Sequence, residues 1–154
     1  MGVSELDFGL PLWYVYGMRS KGQRVTCNAV YKIGYHLVWC TKRRRKWLVP
    51  HWSEKMREVI RKVAAGHRLD LQQLEVMPDH VHCFVGAPSV VSPSNIARIL
   101  KGASSCIFLR ENPEFRSGMR GSEHLWNPSY YVGSVGDMSK SVVLRYIESQ
   151  RQDV

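Results

Sequence analysis

The chain has 154 residues, 44% of them apolar, and carries 22 lysines and arginines against 13 aspartates and glutamates, a formal net charge of +9. That length suits one domain with its own buried core; no apolar run reaches bilayer-spanning length and no signal segment opens the chain, so a membrane protein is excluded and the cytoplasm is the expected compartment. The four cysteines form no C-x-x-C pair, which argues against a zinc knuckle or a disulfide framework, and the positive excess points to a polyanion, nucleic acid first, with solubility alone as the plain alternative.

Residues 1–26 show no sustained period and contain Gly9, Pro11, Gly17 and Gly22, so they read as an irregular extension before a single domain over 27–154. From Val30, "VYKIGYHLVWCT" is rich in β-branched and aromatic residues and predicts a first strand, with Tyr31, Ile33, Tyr35, Leu37 and Trp39 on one face. The basic run "KRRRK" follows. A helix is expected near 53–65 from the stripe Met56, Val59, Ile60, Val63, Ala64, with Ser53 as its cap and Gly66 as its stop.

"LDLQQLEV" (69–76) reads as a second strand, and Pro78-Asp79 turns it into a third over 80–86 as an antiparallel hairpin. Ser92-Pro93 opens the next helix, with Ile96, Ile99, Leu100, Ala103 and Ile107 as its buried stripe. A polar loop (112–123) precedes a fourth strand, "SYYVGSV", and Ser139 caps a last helix, "KSVVLRYIESQ". The order β-α-β-β-α-β plus a terminal helix predicts an α+β, ferredoxin-like fold, an antiparallel sheet with helices on one face.

The third strand carries the most informative motif, "DHVHCFV". Side chains alternate along a strand, so His80 and His82 share one face while Val81, Cys83 and Val85 share the other. Either the two imidazoles hold something, a metal ion first, or they are incidental surface residues. On the last helix Tyr146 and Gln150 are four residues apart and so share a face, at the edge of the buried direction marked by Val143 and Ile147. A glutamine turned inward needs partners for its amide.

"DHVHCFV" with the distant "YIESQ" resembles the HUH single-tyrosine transposases of small bacterial and archaeal insertion sequences. The likeness runs over about residues 30–152 and includes "YHLVWCTKRRRK", "ILKGASS" and "LWNPSYYVGSVGD"; Cys83 stands where a leucine is usual. The resemblance implies that His80, His82 and Gln150 bind one divalent ion, Mg2+ or Mn2+, and that Tyr146 is the nucleophile forming a 5′-phosphotyrosine link. It also implies a homodimer acting on single-stranded DNA with hairpin ends, in the nucleoid, with a tyrosine helix that carries the reaction. No phosphate-binding G-x-x-x-x-G-K-[ST] loop is present, so no nucleotide cofactor is expected.

Lys42, Arg43, Arg44, Arg45, Lys46 and Trp47, with Trp39 and Trp52 nearby, are expected to track phosphates and stack on unpaired bases. Arg57, Arg61, Lys62 and Lys101 are weaker candidates for gripping a hairpin stem, and His36 is expected to be a hydrogen-bonded scaffold residue. The reading from a different class is a domesticated ferredoxin-like module that binds nucleic acid without cutting it.

Overall fold

The structure, a computed structural model, describes residues 24–25, 30–119 and 121–135. The expected final helix, with Tyr146 and Gln150, lies outside the described residues, as does most of the N-terminal extension. The elements are β1 (Arg24–Val25), β2 (Val30–Tyr31), β3 (Gly34–Cys40), α1 (Pro50–Gly66), β4 (Asp70–Val76), β5 (His80–Gly86), α2 (Pro93–Glu111), α3 (Pro113–Gly118) and β6 (Tyr131–Ser134). β1 and β2 pair as a small ribbon, so Arg24 and Val25, within the stretch expected to be irregular, form a strand. The main sheet has the order β4-β5-β3-β6, antiparallel throughout. The β3-α1-β4 crossover leaves a gap that β5 fills, which is the ferredoxin-like arrangement expected from the element order.

One face of the sheet presents Leu37, Trp39, Leu74, Val76, Val81, Cys83 and Val85 to the core formed with α1 and α2. A bulge between Leu71 and Gln73 shifts the parity of β4, so Leu74 and Val76 turn inward and Glu75 turns to the other face. That other face, pointing away from α1 and α2, carries His36, Val38, His80, His82, Phe84 and Tyr131.

Local differences from the expected elements have physical causes. The first strand breaks at Lys32–Ile33, leaving Val30–Tyr31 in the ribbon. α1 begins at Pro50 rather than at Ser53, because proline at the first helical position lacks an N–H that would be unsatisfied there. Ser53 sits one turn in and donates from Oγ to the Pro50 carbonyl at 2.8 Å. Ser92 does cap α2, accepting from the Asn95 N–H at 3.2 Å. The buried line of α2 is Ile96, Ala97, Leu100, Ser104 and Phe108, while Ile99, Ala103 and Ile107 lie at the core's margin.

The rotation of that line follows from Phe108, whose ring packs edge-on against Phe115 (4.9 Å) and Trp52 (6.1 Å). Phe115 belongs to α3, inside the stretch expected to be a loop; one apolar anchor among polar residues is enough to seat a short helix. Among the described residues no helix is long and apolar enough to cross a membrane.

Lys101 is not a surface cation. Its Nζ donates to the carbonyls of Asn127, Pro128 and Ser129 at 2.8, 2.8 and 3.0 Å, pinning the segment that leads into β6. Burial lowers its pKa from the ordinary lysine value. Lys101→Met keeps the stem and removes these bonds. It should cost about 1–3 kcal/mol in chemical denaturation and accelerate amide exchange over residues 127–133. Unchanged stability would restore Lys101 to the role of a DNA-facing charge.

Candidate functional site

β5 pairs with β3 so that Val38 lies opposite His82, His36 opposite Phe84 and Cys40 opposite His80. Alternation then puts three imidazoles on one face. His80 and His82 are edge-to-face with ring centroids 4.9 Å apart, and His36 stacks on His82 at 5.5 Å with an interplanar angle of 16°. His36 Nε2 lies 3.3 Å from His82 Nδ1, and His80 Nδ1 lies 2.5 Å from Asp79 Oδ1. Both Nδ1 atoms of the H-x-H pair thus have a polar neighbour, an arrangement that orients the rings.

The surroundings set the protonation of these groups. Burial, with the neighbouring His80 and His36 adding to it, lowers the pKa of His82 to about 4, and burial lowers that of His36. Burial works upward on the Asp79 carboxyl, but hydrogen bonds and charge from His80 and Arg44 outweigh it and hold the pKa below the usual value. A neutral imidazole is the form that binds a cation. Glu75, opposite His82 on β4, is buried on the same face and lies 3.5 Å from Arg57.

The basic turn is stitched to this site by backbone. The Thr41 N–H donates to the Asp79 carbonyl (2.9 Å), the Leu48 N–H to the Pro78 carbonyl (2.9 Å) and the Lys42 N–H to the Leu125 carbonyl (2.8 Å). Thr41, fully buried, adds a side-chain bond to the Arg45 carbonyl at 2.6 Å. The turn is tight: Arg43 and Arg44 have φ of 56° and 52°, in the left-handed region. Arg44 pairs with Asp79 at 3.1 Å, so one member of the basic run is tied to the carboxylate that holds His80.

Arg43, Arg44, Arg45 and Lys46 are exposed, Lys42 and Trp47 are half-buried, and Arg45 lies over the Trp47 ring at 5.5 Å. Other expected contacts fail. Trp39 is 1% exposed in the core, so its ring is closed to a base, and Trp52 is half-buried, its ring packed among Phe108, Phe115 and Lys55. Arg57 is committed to Glu54 and Glu75, whereas Arg61 and Lys62 are exposed on α1. Tyr146 and Gln150 lie outside the described residues, so the structure brings together His80 and His82 with the basic turn only.

His36 is the hydrogen-bonded scaffold histidine expected of it. Sequence reasoning missed Asp79, read only as a turn residue; a carboxylate immediately before the first histidine was the available signal. Glu75 was missed as well, because its outward turn depends on the β4 bulge.

Comparison with known proteins gives a consistent picture. The family described as "Transposase IS200 like" matches residues 29–150. The ISDra2 transposase TnpA of Deinococcus radiodurans is 36% identical over 121 residues, covering 79% of this chain and 86% of the relative. The transposase for insertion sequence element IS200 of Salmonella typhimurium is 26% identical over 119 residues, 77% of each chain. Among solved structures, a Deinococcus radiodurans R1 protein assigned to the transposases superposes with a TM-score of 0.68 at 35% identity, covering 82% of this chain and 97% of that one. A REP-associated tyrosine transposase bound to a REP hairpin shares the fold, with a TM-score of 0.52 at 18% identity over 84% of this chain and 68% of that one.

The buried imidazoles make stability depend on pH. An unfolded histidine titrates near 6.5, whereas His82 in the fold titrates at about 4. On acidification the unfolded chain takes up the proton first. The stability is therefore complete above about pH 6.5 and is lost as pH falls towards 4, on the order of 1 kcal/mol by pH 5. The melting temperature of chelator-treated protein should fall across that window, and His82→Gln should flatten the slope. Equal slopes in the two proteins would show that His82 is not held neutral by the fold.

Proposed function

The chain belongs to the IS200-like transposase family, and we propose that it cuts and rejoins single-stranded DNA at insertion-sequence ends through a 5′-phosphotyrosine on Tyr146. The observation that carries this reading is the pair His80 and His82 on one sheet face, each oriented through Nδ1, with the basic turn stitched beside them. Exposed Arg43, Arg45 and Lys46, with Lys42 at their root, would draw in the phosphate backbone. Arg44 would act mainly through Asp79, and Trp47 through the cation it carries.

In the reaction the Tyr146 hydroxyl attacks the scissile phosphorus. The bond from tyrosine oxygen to phosphorus forms as the bond from phosphorus to the 3′-oxygen breaks, releasing a 3′-OH. A free tyrosine titrates near 10, so its proton must be removed as attack proceeds. The new phosphodiester retains the energy of the old one, so rejoining by a 3′-OH needs no nucleotide hydrolysis.

Among the described residues no set of three His, Cys, Asp or Glu side chains gathers to hold an ion. The two imidazoles therefore need a further donor, the role proposed for Gln150. The neutral state of His82 and the absence of thiolate from the set fit Mg2+ or Mn2+. Such an ion would supply Lewis acidity at the phosphate oxygens and orient the group for in-line attack. If His82 held the ion through its other ring nitrogen, its Nδ1 would carry the proton and would donate to His36 Nε2.

Hairpin-bearing ends and a homodimer with tyrosine and histidines shared between subunits complete the proposal. The hairpin in the fold relative's structure is consistent with the first.

Incubation with 3′-labelled single-stranded element ends and Mn2+ should give a covalent adduct on a denaturing gel. Tyr146→Phe should abolish it while leaving DNA binding nearly unchanged; His80→Ala, His82→Ala or excess EDTA should abolish it too. An adduct that survives in Tyr146→Phe would move the nucleophile elsewhere. Full activity in EDTA would remove the ion from the mechanism.

His36→Leu should raise the Mn2+ requirement roughly 10- to 100-fold and recover at saturation, which a general loss of fold would not do. Mixing His80→Ala with Tyr146→Phe under subunit exchange should restore cleavage if sites are shared. No restoration after proven exchange would mean that the tyrosine serves its own subunit.

A further inference from the structure

Tyr131 is 59% exposed, whereas His36, Val38, His80, His82 and Phe84 on the same face are half-buried or buried. It lies at the start of β6, the edge strand, on the same face as the histidines, and pairs with Val38, which in turn pairs with His82. Its ring meets His36 edge-on at 6.1 Å and 70°. From Tyr131 to His82 is two strand spacings, about 10 Å, within reach of the nucleotide next to a phosphate held at the histidines.

The ring's posture depends on Gly133. A Cβ built there would lie 2.7 Å from Tyr131 Oη and 3.2 Å from its Cζ, so the ring leans along the strand over the glycine instead of standing off the sheet. The backbone that carries it is held by the three Lys101 bonds to residues 127–129. Tyr130, beside it, faces the Lys101 ammonium at 5.4 Å. A ring laid over glycine, anchored at its base and open to solvent is suited to receiving a nucleobase, whose π-face needs no particular hydrogen-bond pattern.

We infer that Tyr131, laid over Gly133 beside His36, is a stacking platform for an unpaired base of the DNA strand, and that it positions the nucleotide flanking the phosphate at the histidine pair. The inference rests on the single-stranded DNA reading above. Tyr131 stands apart from the chemistry: its hydroxyl is dispensable, while its ring is not.

The test is fluorescence anisotropy of the full chain with a fluorescein-labelled oligothymidylate of about twenty nucleotides, with thermal melting as the check on folding. Tyr131→Phe and Tyr131→Trp should bind as the natural protein does. Tyr131→Ala should bind roughly 5- to 100-fold more weakly, with an unchanged salt slope because no phosphate contact is lost. Gly133→Ala, which displaces the ring, should weaken binding as well, and adding it to Tyr131→Ala should cost nothing further.

If the natural protein binds the oligonucleotide and Tyr131→Ala binds equally well, the platform is wrong and the DNA reading stands. Loss of binding in Tyr131→Phe would assign the effect to the hydroxyl and overturn stacking. A natural protein that binds no single strand would overturn the DNA reading and the platform together. Should Tyr131→Ala melt early, Gly133→Ala read against the salt slope decides the question alone.

Discussion

Antiparallel pairing of β3 with β5, with Leu37 opposite Cys83 and Val38 opposite His82, is the constraint from which the site follows. These are the two central strands of the sheet, and both contribute to the core through one face only. A slip of one residue would turn Leu37, Trp39, Val81 and Val85 out of the core and bury the imidazoles in their place. Packing against α1 and α2 therefore specifies the register, and the register specifies that His36 stacks on His82. The hydrophobic side of the sheet positions the polar side without touching it.

The same register brings the start of β5 next to the end of β3, so the turn at Pro78-Asp79 and the basic turn at 42–46 emerge together. Backbone bonds from Thr41 and Leu48 join them, and the Asp79 carboxylate reaches both His80 and Arg44. Charge is thus arranged in two zones. Solvated cations stand at the rim, where they can meet a polyanion at long range. Inside it lies a cluster in which burial favours the neutral form of His82. An imidazole protonated at neutral pH would repel the cation proposed for this site.

On this frame, membership of the IS200-like transposases and the local chemistry point the same way. The fold supplies a rigid sheet, and the candidate groups sit on its strands and the turn between two of them rather than on long loops, which would suit the proposed reaction, where a phosphate must be held in line. Tyr131 and Gly133 extend the same principle to the edge strand: Lys101 clamps the approach, the glycine makes room and the ring lies over the sheet beside His36.

Much of this was legible in the residues themselves. The order of elements, the hairpin at Pro78-Asp79 and the shared face of His80 and His82 follow from patterns with a local cause, the alternation of a strand and the chemistry of a turn. The Ser92 cap was legible for the same reason: its bond reaches only to Asn95. Other features needed the assembled fold. Lys101 and Arg57 look like solvent-facing cations until the carbonyls of 127–129 and the carboxylate of Glu75 come within reach. Trp39 and Trp52 look like stacking rings until the core closes over one and an aromatic cluster over the other. Local spacing sets which way a side chain points relative to its neighbours in the chain. What it then meets is contributed by residues tens of positions away, and only packing decides that.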